Sequence, residues 1–140
     1  VSASEPERVR VSQGGIEGNV WIGPGLLRTA DRFLVSPSGR FLLFSSSAAE
    51  AAAAPIRAAL GPRLILDRRL DDRETAKTAE TAVGLADDAL RAGVRRDDAI
   101  VAVGGGVVTD IAGFAAAIVL RGVTWNAVPT TTAGMADAAI

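Results

Sequence analysis

Apolar residues gather into four short unbroken runs, RFLLF at 40–44, RLIL at 63–66, AIVAV at 99–103 and TWNAV at 124–128. Unbroken rather than alternating runs mark strands covered on both faces, the habit of parallel sheets. The stretches between them have helical spacing. SSS at 45–47 offers N-caps to an alanine-rich helix that ends near LGP at 60–62, a second helix is predicted over 75–92 with Gly93 closing it, and a third over 107–120. The second helix carries Ala79, Val83, Ala86 and Leu90 on one face, predicted to be its buried side. Upstream, ERVRV alternates like a half-buried strand, residues 19–22 form another between glycine-rich turns, and residues 26–33 read as a helix. DRRLDDRE at 67–74 reads as a charged loop. Strands alternating with helices predict an α/β fold: a Rossmann-like, mostly parallel sheet with helices on both faces, over 1–140.

Composition removes several function classes. Fifteen basic and sixteen acidic residues leave a net charge of -1, which gives no electrostatic footprint for nucleic acid or an anionic membrane. The apolar stretch from Ile111 to Leu120 is about half of the ~20 residues that a bilayer span needs, so it reads as a buried helix. The polar start lacks the apolar core of a signal peptide. With no cysteine, disulfides and thiolate metal sites are excluded, which fits a reducing, cytoplasmic setting. The absence of histidine removes the commonest general base and zinc ligand. Because the chain stops within the apolar MADAAI, it is expected to be part of a larger protein.

Candidate chemistry gathers at two strand ends. Gly104, Gly105 and Gly106, with Val107, follow a buried run and open a helix, where unpaired N–H groups and the helix dipole favour anions. The spacing is not G-x-G-x-x-G, and a structural corner and a phosphate cradle are both open readings. Asp110, placed in the first turn of that helix, either complements the dipole or accepts hydrogen bonds from a ligand. Thr130 and Thr131 present hydroxyls at the end of the fourth run, one of which an N-cap would explain. Glu74 and Lys77 have the i, i+3 spacing of a helical ion pair, and Lys77 is the only lysine in an arginine-rich chain. Arg121 follows the apolar helix and can face its dipole. Asp137 lies between alanines, where a buried carboxylate would need a partner.

Together these residues resemble the sugar-phosphate cyclases, and within them the 3-dehydroquinate synthase family. The resemblance rests on VAVGGGVVTDIAGFAAAIVLRGVTWNAVPTTTAGMADAAI at 101–140, with Glu74-x-x-Lys77 upstream. It implies an N-terminal NAD-binding α/β domain, a helical C-terminal domain carrying zinc or cobalt, and a homodimer. It also implies a carbon–oxygen lyase that converts 3-deoxy-D-arabino-heptulosonate 7-phosphate to 3-dehydroquinate and phosphate, through transient oxidation by NAD, in the shikimate pathway to aromatic amino acids. Carried over, Gly104, Gly105, Gly106 and Val107 hold the NAD pyrophosphate, Asp110 meets the nicotinamide end, and Thr130, Thr131, Glu74 and Lys77 contact the same cofactor. Arg121 and Asp137 meet the sugar phosphate substrate.

Three features depart from the family pattern. SSS at 45–47 stands where a ribose-binding aspartate is usual, Arg73 where glycine is typical, and the metal ligands expected after Ile140 lie beyond the chain, which alone is expected to be inactive. Three other readings compete. They are a valiolone- or inosose-forming cyclase, a glycerol-1-phosphate or iron-type alcohol dehydrogenase sharing the GGG-x-x-x-D turn, and a non-catalytic nucleotide-binding module.

Overall fold

The computed structural model describes residues 5–138; the first four residues and the Ala139–Ile140 end of the apolar stretch lie outside the described residues. The fold is α/β. Strands β1 (Glu7–Gln13) and β2 (Ile16–Ile22) form an antiparallel hairpin, while β3 (Phe41–Ser46), β4 (Leu64–Leu70), β5 (Ala99–Gly104) and β6 (Thr124–Pro129) form a parallel sheet in the order β4-β3-β5-β6. Helix α1 (Glu50–Leu60) joins β3 to β4, α2 (Ala79–Arg91) precedes β5, and α3 (Gly106–Ile118) joins β5 to β6.

Alternation along the buried strands decides which helix lies on which face. Phe41 and Leu43 of β3 and Val101 and Val103 of β5 pack with Ala53, Ile56 and Leu60 of α1. Leu42, Phe44, Ile100 and Ala102 face the other way, onto Leu85 and Ala89 of α2 and Val108, Ile111 and Ala115 of α3. From β3 the chain steps outward to β4, and from β5 it steps the opposite way to β6. The direction of winding therefore reverses between β3 and β5. In open α/β sheets, the crevice beyond the carboxyl ends of such a strand pair is where ligands bind.

Several elements differ from the sequence expectation. The second strand begins at Ile16, not residue 19, because Gly14 and Gly15 (φ 60° and 83°) make the two-residue hairpin turn that suits a right-twisted strand pair. Residues 26–32 are short 3-10 turns broken at Thr29 (φ −125°) rather than a helix. Strand β4 continues through the charged residues to Leu70, since at a sheet edge charges can leave the core. Asp67 pairs with Arg57 and Arg69 with Glu50 on the α1 side, whereas Arg68 pairs with Asp88 on the other.

Helix α2 starts four residues late. Thr78 caps it, its hydroxyl accepting the Thr81 N–H at 3.1 Å. Its buried face is Ala82, Leu85, Ala86 and Ala89, and Val83 and Leu90 are about half exposed, at 48% and 49%. Small side chains permit close packing on α3 and the sheet, so the alanine-rich stripe turns inward; of the predicted face, Ala86 is buried and Ala79, Val83 and Leu90 are exposed. Among the described residues, no helix is long and apolar enough to cross a membrane.

At the amino end of the sheet, the buried Asp98 carboxylate accepts from the Ser38 hydroxyl (2.7 Å), the Arg40 guanidinium (3.0 Å) and the Arg95 N–H (2.7 Å). This knot closes the edge opposite the crevice.

Candidate functional site

None of Gly104, Gly105 and Gly106 has a positive φ, so the triplet does not serve a left-handed turn. Its glycines provide space. A Cβ on Gly104 would stand 2.8 Å from the Val108 Cβ, which makes Gly104 the contact that seats α3 on β5. A Cβ on Gly105 would stand 3.2 Å from the Thr131 methyl. Gly105 is the N-cap of α3 and offers no side chain to its N–H groups. The first bond inside the helix runs from the Thr109 N–H to the Gly105 carbonyl, and the Thr109 hydroxyl also donates to the Gly105 and Gly106 carbonyls. The N–H groups of Gly106, Val107 and Val108 are thus left without acceptors within the helix, under the positive end of its dipole.

The β6 exit lies alongside. The Thr130 N–H donates to the Gly104 carbonyl at 2.9 Å, tying the two strand ends together. The Thr131 hydroxyl accepts from the Gly134 N–H (3.1 Å) and its carbonyl from Met135 (2.9 Å), so Thr131 starts the wide π-type turn Gly134–Ala138. Capping accounts for this one hydroxyl of the three. Gly134, which the sequence reading passed over, is buried against the turn. A Cβ there would lie 3.6 Å from the Gly106 nitrogen. A single glycine in TTTAGMAD gives no local signal of that approach.

The charged residues regroup. Lys77 lies on the loop before α2, after a short turn at Glu74–Ala76, so Glu74 and Lys77 do not share a helix face. The Lys77 ammonium instead meets the Asp110 carboxylate at 2.5 Å. Asp110 sits in the second turn of α3, not the first, and its partner is this cation rather than the helix dipole. The bond to Asp110 raises the Lys77 pKa above the ordinary lysine value, and the Glu74 and Asp137 carboxylates add in the same direction. Four predicted residues, Glu74, Lys77, Asp110 and Asp137, therefore share one electrostatic neighbourhood at the mouth of the crevice. No local pattern links positions 77 and 110. Asp137 is exposed, which removes the burial cost expected from its apolar neighbours.

Two further positions are resolved. Arg73 has φ −71°, ordinary backbone that needs no glycine, and its guanidinium holds the Asp71 carboxyl down to about 2. Arg121 lies past the far end of α3. With 13 residues in α3, the helix puts ~20 Å between Arg121 and the glycine turn, so the structure does not bring them together within one chain. The Arg121 backbone is left-handed (φ 66°), as is Leu120 (φ 49°), a conformation costing a non-glycine residue ~1–2 kcal/mol.

A helix start with unpaired N–H groups, a crevice at the reversal of winding and the Lys77–Asp110 pair are the groups available to a ligand here. Metal ligation is different: no group of three or more His, Cys, Asp or Glu is placed to hold an ion among the described residues.

Comparison with known proteins agrees with this geometry. Residues 68–140 match the family described as 3-dehydroquinate synthase N-terminal. The 3-dehydroquinate synthase of Leifsonia xyli is 43% identical over 122 residues, covering 86% of this chain and 34% of the relative. That of Pelotomaculum thermopropionicum is 37% identical over 145 residues, covering 96% and 38%. Among solved structures, a 2-deoxy-scyllo-inosose synthase complexed with carbaglucose-6-phosphate, NAD+ and Co2+ is similar with a TM-score of 0.75 and 27% identity over 89% of this chain and 35% of that one. A 2-epi-5-epi-valiolone synthase from Streptomyces hygroscopicus with NAD+ and Zn2+ bound gives 0.65 and 32% over 72% and 29%. The chain thus spans about a third of the length of these relatives, at 34% to 38% of the curated ones.

Proposed function

The chain belongs to the 3-dehydroquinate synthase family, and we propose that it is the NAD-binding part of a cytoplasmic, homodimeric sugar-phosphate cyclase of the shikimate pathway. The whole enzyme would convert 3-deoxy-D-arabino-heptulosonate 7-phosphate to 3-dehydroquinate and phosphate. The observation that carries this reading is the uncapped N-terminus of α3 beside the β3–β5 reversal, with no side chain on Gly105 or Gly106 to cover it.

In this proposal the N–H groups of Gly106 and Val107 bind the pyrophosphate, Gly105 offers no side chain to cover them, and Gly104 seats α3 on β5. Thr130 and Thr131 line the β6 side. Lys77 neutralises Asp110 until ligand enters, after which the pair orients the nicotinamide end, with Glu74 setting the loop that carries Lys77. Bound NAD supplies a reversible hydride acceptor for a substrate hydroxyl. Asp137, exposed next to this pair, faces the substrate. Arg121, past the far end of α3, would reach a substrate beside Asp137 from a second copy of the chain in the proposed homodimer. No group of three or more His, Cys, Asp or Glu is placed to hold an ion among the described residues, so the zinc or cobalt of the proposed enzyme would be held by residues outside them.

The likeness to inosose and valiolone synthases, with serines at the end of β3, favours another cyclase as the second reading. The test is product analysis with the whole coding sequence expressed. Phosphate release and 3-dehydroquinate formation without net NADH support the proposal; release only from a different sugar phosphate supports the second reading. NADH accumulating with a simple polyol overturns both.

A further inference from the structure

The opposite wall of the crevice has chemistry of its own. The last registered pair between β3 and β5 is Ser45 with Val103, so Ser46 comes level with Gly104, one strand spacing (~4.8 Å) away. When a dinucleotide pyrophosphate sits on a glycine turn, its adenosine ribose falls at the end of the neighbouring strand. A carboxylate there accepts the ribose hydroxyls of NAD and repels the 2′-phosphate of NADP. In this chain that end is Ser45-Ser46-Ser47.

Each serine is in a different state. The Ser46 hydroxyl oxygen accepts the Ala49 N–H at 3.2 Å, which leaves its own proton free to donate. Ser47 is exposed and opens the short turn that runs straight into α1. The Ser45 hydroxyl is fully buried at the strand end and has no hydrogen-bond partner. The nearest acid along the chain, Glu50, is held by Arg57 at 2.9 Å and Arg69 at 3.1 Å, and Arg69 stands in register beside Ser45. A 2′-phosphate entering here meets the exposed Ser47 hydroxyl above the nearly buried Ser46; Glu50 already carries two guanidinium partners, and Asp71, which follows the Leu70 in register with Ser46, is held by Arg73.

We propose that this crevice accepts the 2′-phosphorylated dinucleotide NADP alongside NAD, with Ser46 as the residue that sets this tolerance. The inference rests on the dinucleotide reading given under Proposed function, and the experiment separates the two. NAD and NADP are titrated calorimetrically into the purified chain, its Ser46→Asp variant and its Ser47→Asp variant, with a thermal melt of each. Aspartate caps a helix as well as serine does, so Ser46→Asp retains the cap. If it nevertheless fails to fold, the exposed Ser47→Asp carries the comparison.

The expected result is NADP binding within about tenfold of NAD in the unaltered chain. The aspartate should then shift the ratio toward NAD by roughly 100-fold, through like-charge repulsion. NAD binding with NADP weaker by that factor in the unaltered chain overturns this inference and leaves the NAD reading intact. Binding of neither overturns both. A ratio that neither aspartate moves overturns the assignment to the end of β3.

Discussion

Gly104→Ala separates a packing glycine from a ligand-facing one. The new Cβ would lie 2.8 Å from the Val108 Cβ and 3.0 and 3.2 Å from its two methyls, against an ordinary contact above 3.4 Å. Val108 is fully buried in the first turns of α3, so it relaxes only if the helix start moves off β5. Overpacking of this kind costs ~1–3 kcal/mol, offset by ~0.4–1 kcal/mol from the stiffer unfolded chain, for a net loss of about 1–2 kcal/mol. Gly105→Ala meets the Thr131 methyl at 3.2 Å, where a shift of a few tenths of an ångström relieves it, so its cost should be smaller, under about 1 kcal/mol. Urea denaturation at 25 °C with a shared m-value measures both. Val108→Ala removes two of the three close atoms, so the Gly104→Ala penalty should shrink in that background. Equal stability of Gly104→Ala and the unaltered chain, or a larger loss from Gly105→Ala, would refute the assignment.

Three other outcomes follow from the geometry. Lysine-selective labelling gives one resonance, since Lys77 is the only lysine. Its titration midpoint should lie above the ordinary lysine value and fall toward it in Asp110→Asn; because the folded pKa is raised, the tie to Asp110 is complete at neutral pH and is lost only as pH rises through that raised value. A midpoint at or below the ordinary value would remove the pair from the account. Asp98→Ala strips the buried knot of its acceptor and should cost about 3 kcal/mol in denaturant unfolding while leaving dinucleotide affinity unchanged, because the knot closes the other edge; an affinity loss in a still-folded variant contradicts this. Ser46→Ala should cost ~0.5–2 kcal/mol through the lost cap, and Ser46→Asp, which keeps the cap but puts a carboxylate at a buried position, should also lose stability by the same unfolding measurement.

How much of this was legible beforehand depended on range. The four strands of the parallel sheet were marked by their apolar runs, because a strand covered by helices favours apolar side chains along most of its length. The charged half of β4 escaped because an edge strand tolerates Asp67, Arg68 and Arg69 where a central one would not. The buried face of α2 was misjudged because Val83 and Leu90 weigh more than alanine on any apolar scale, while close helix packing selects alanine. At the site, the glycine turn and the neighbouring threonines could be read from local order along the chain. The Lys77–Asp110 pair and the seating of Gly134 on Gly106 arise only when distant segments meet, and nothing within either segment announces them.

The central claim is that the uncapped start of α3 holds a dinucleotide pyrophosphate. NAD titrated into the isotopically labelled chain tests it by amide mapping. The account predicts saturable shifts at Gly105, Gly106 and Val107 together with the Lys77 signal, and none around Asp98. Absence of shifts at millimolar NAD, or shifts confined to the groove between β4 and α2 lined by Arg68, Asp88 and Arg91, would contradict it.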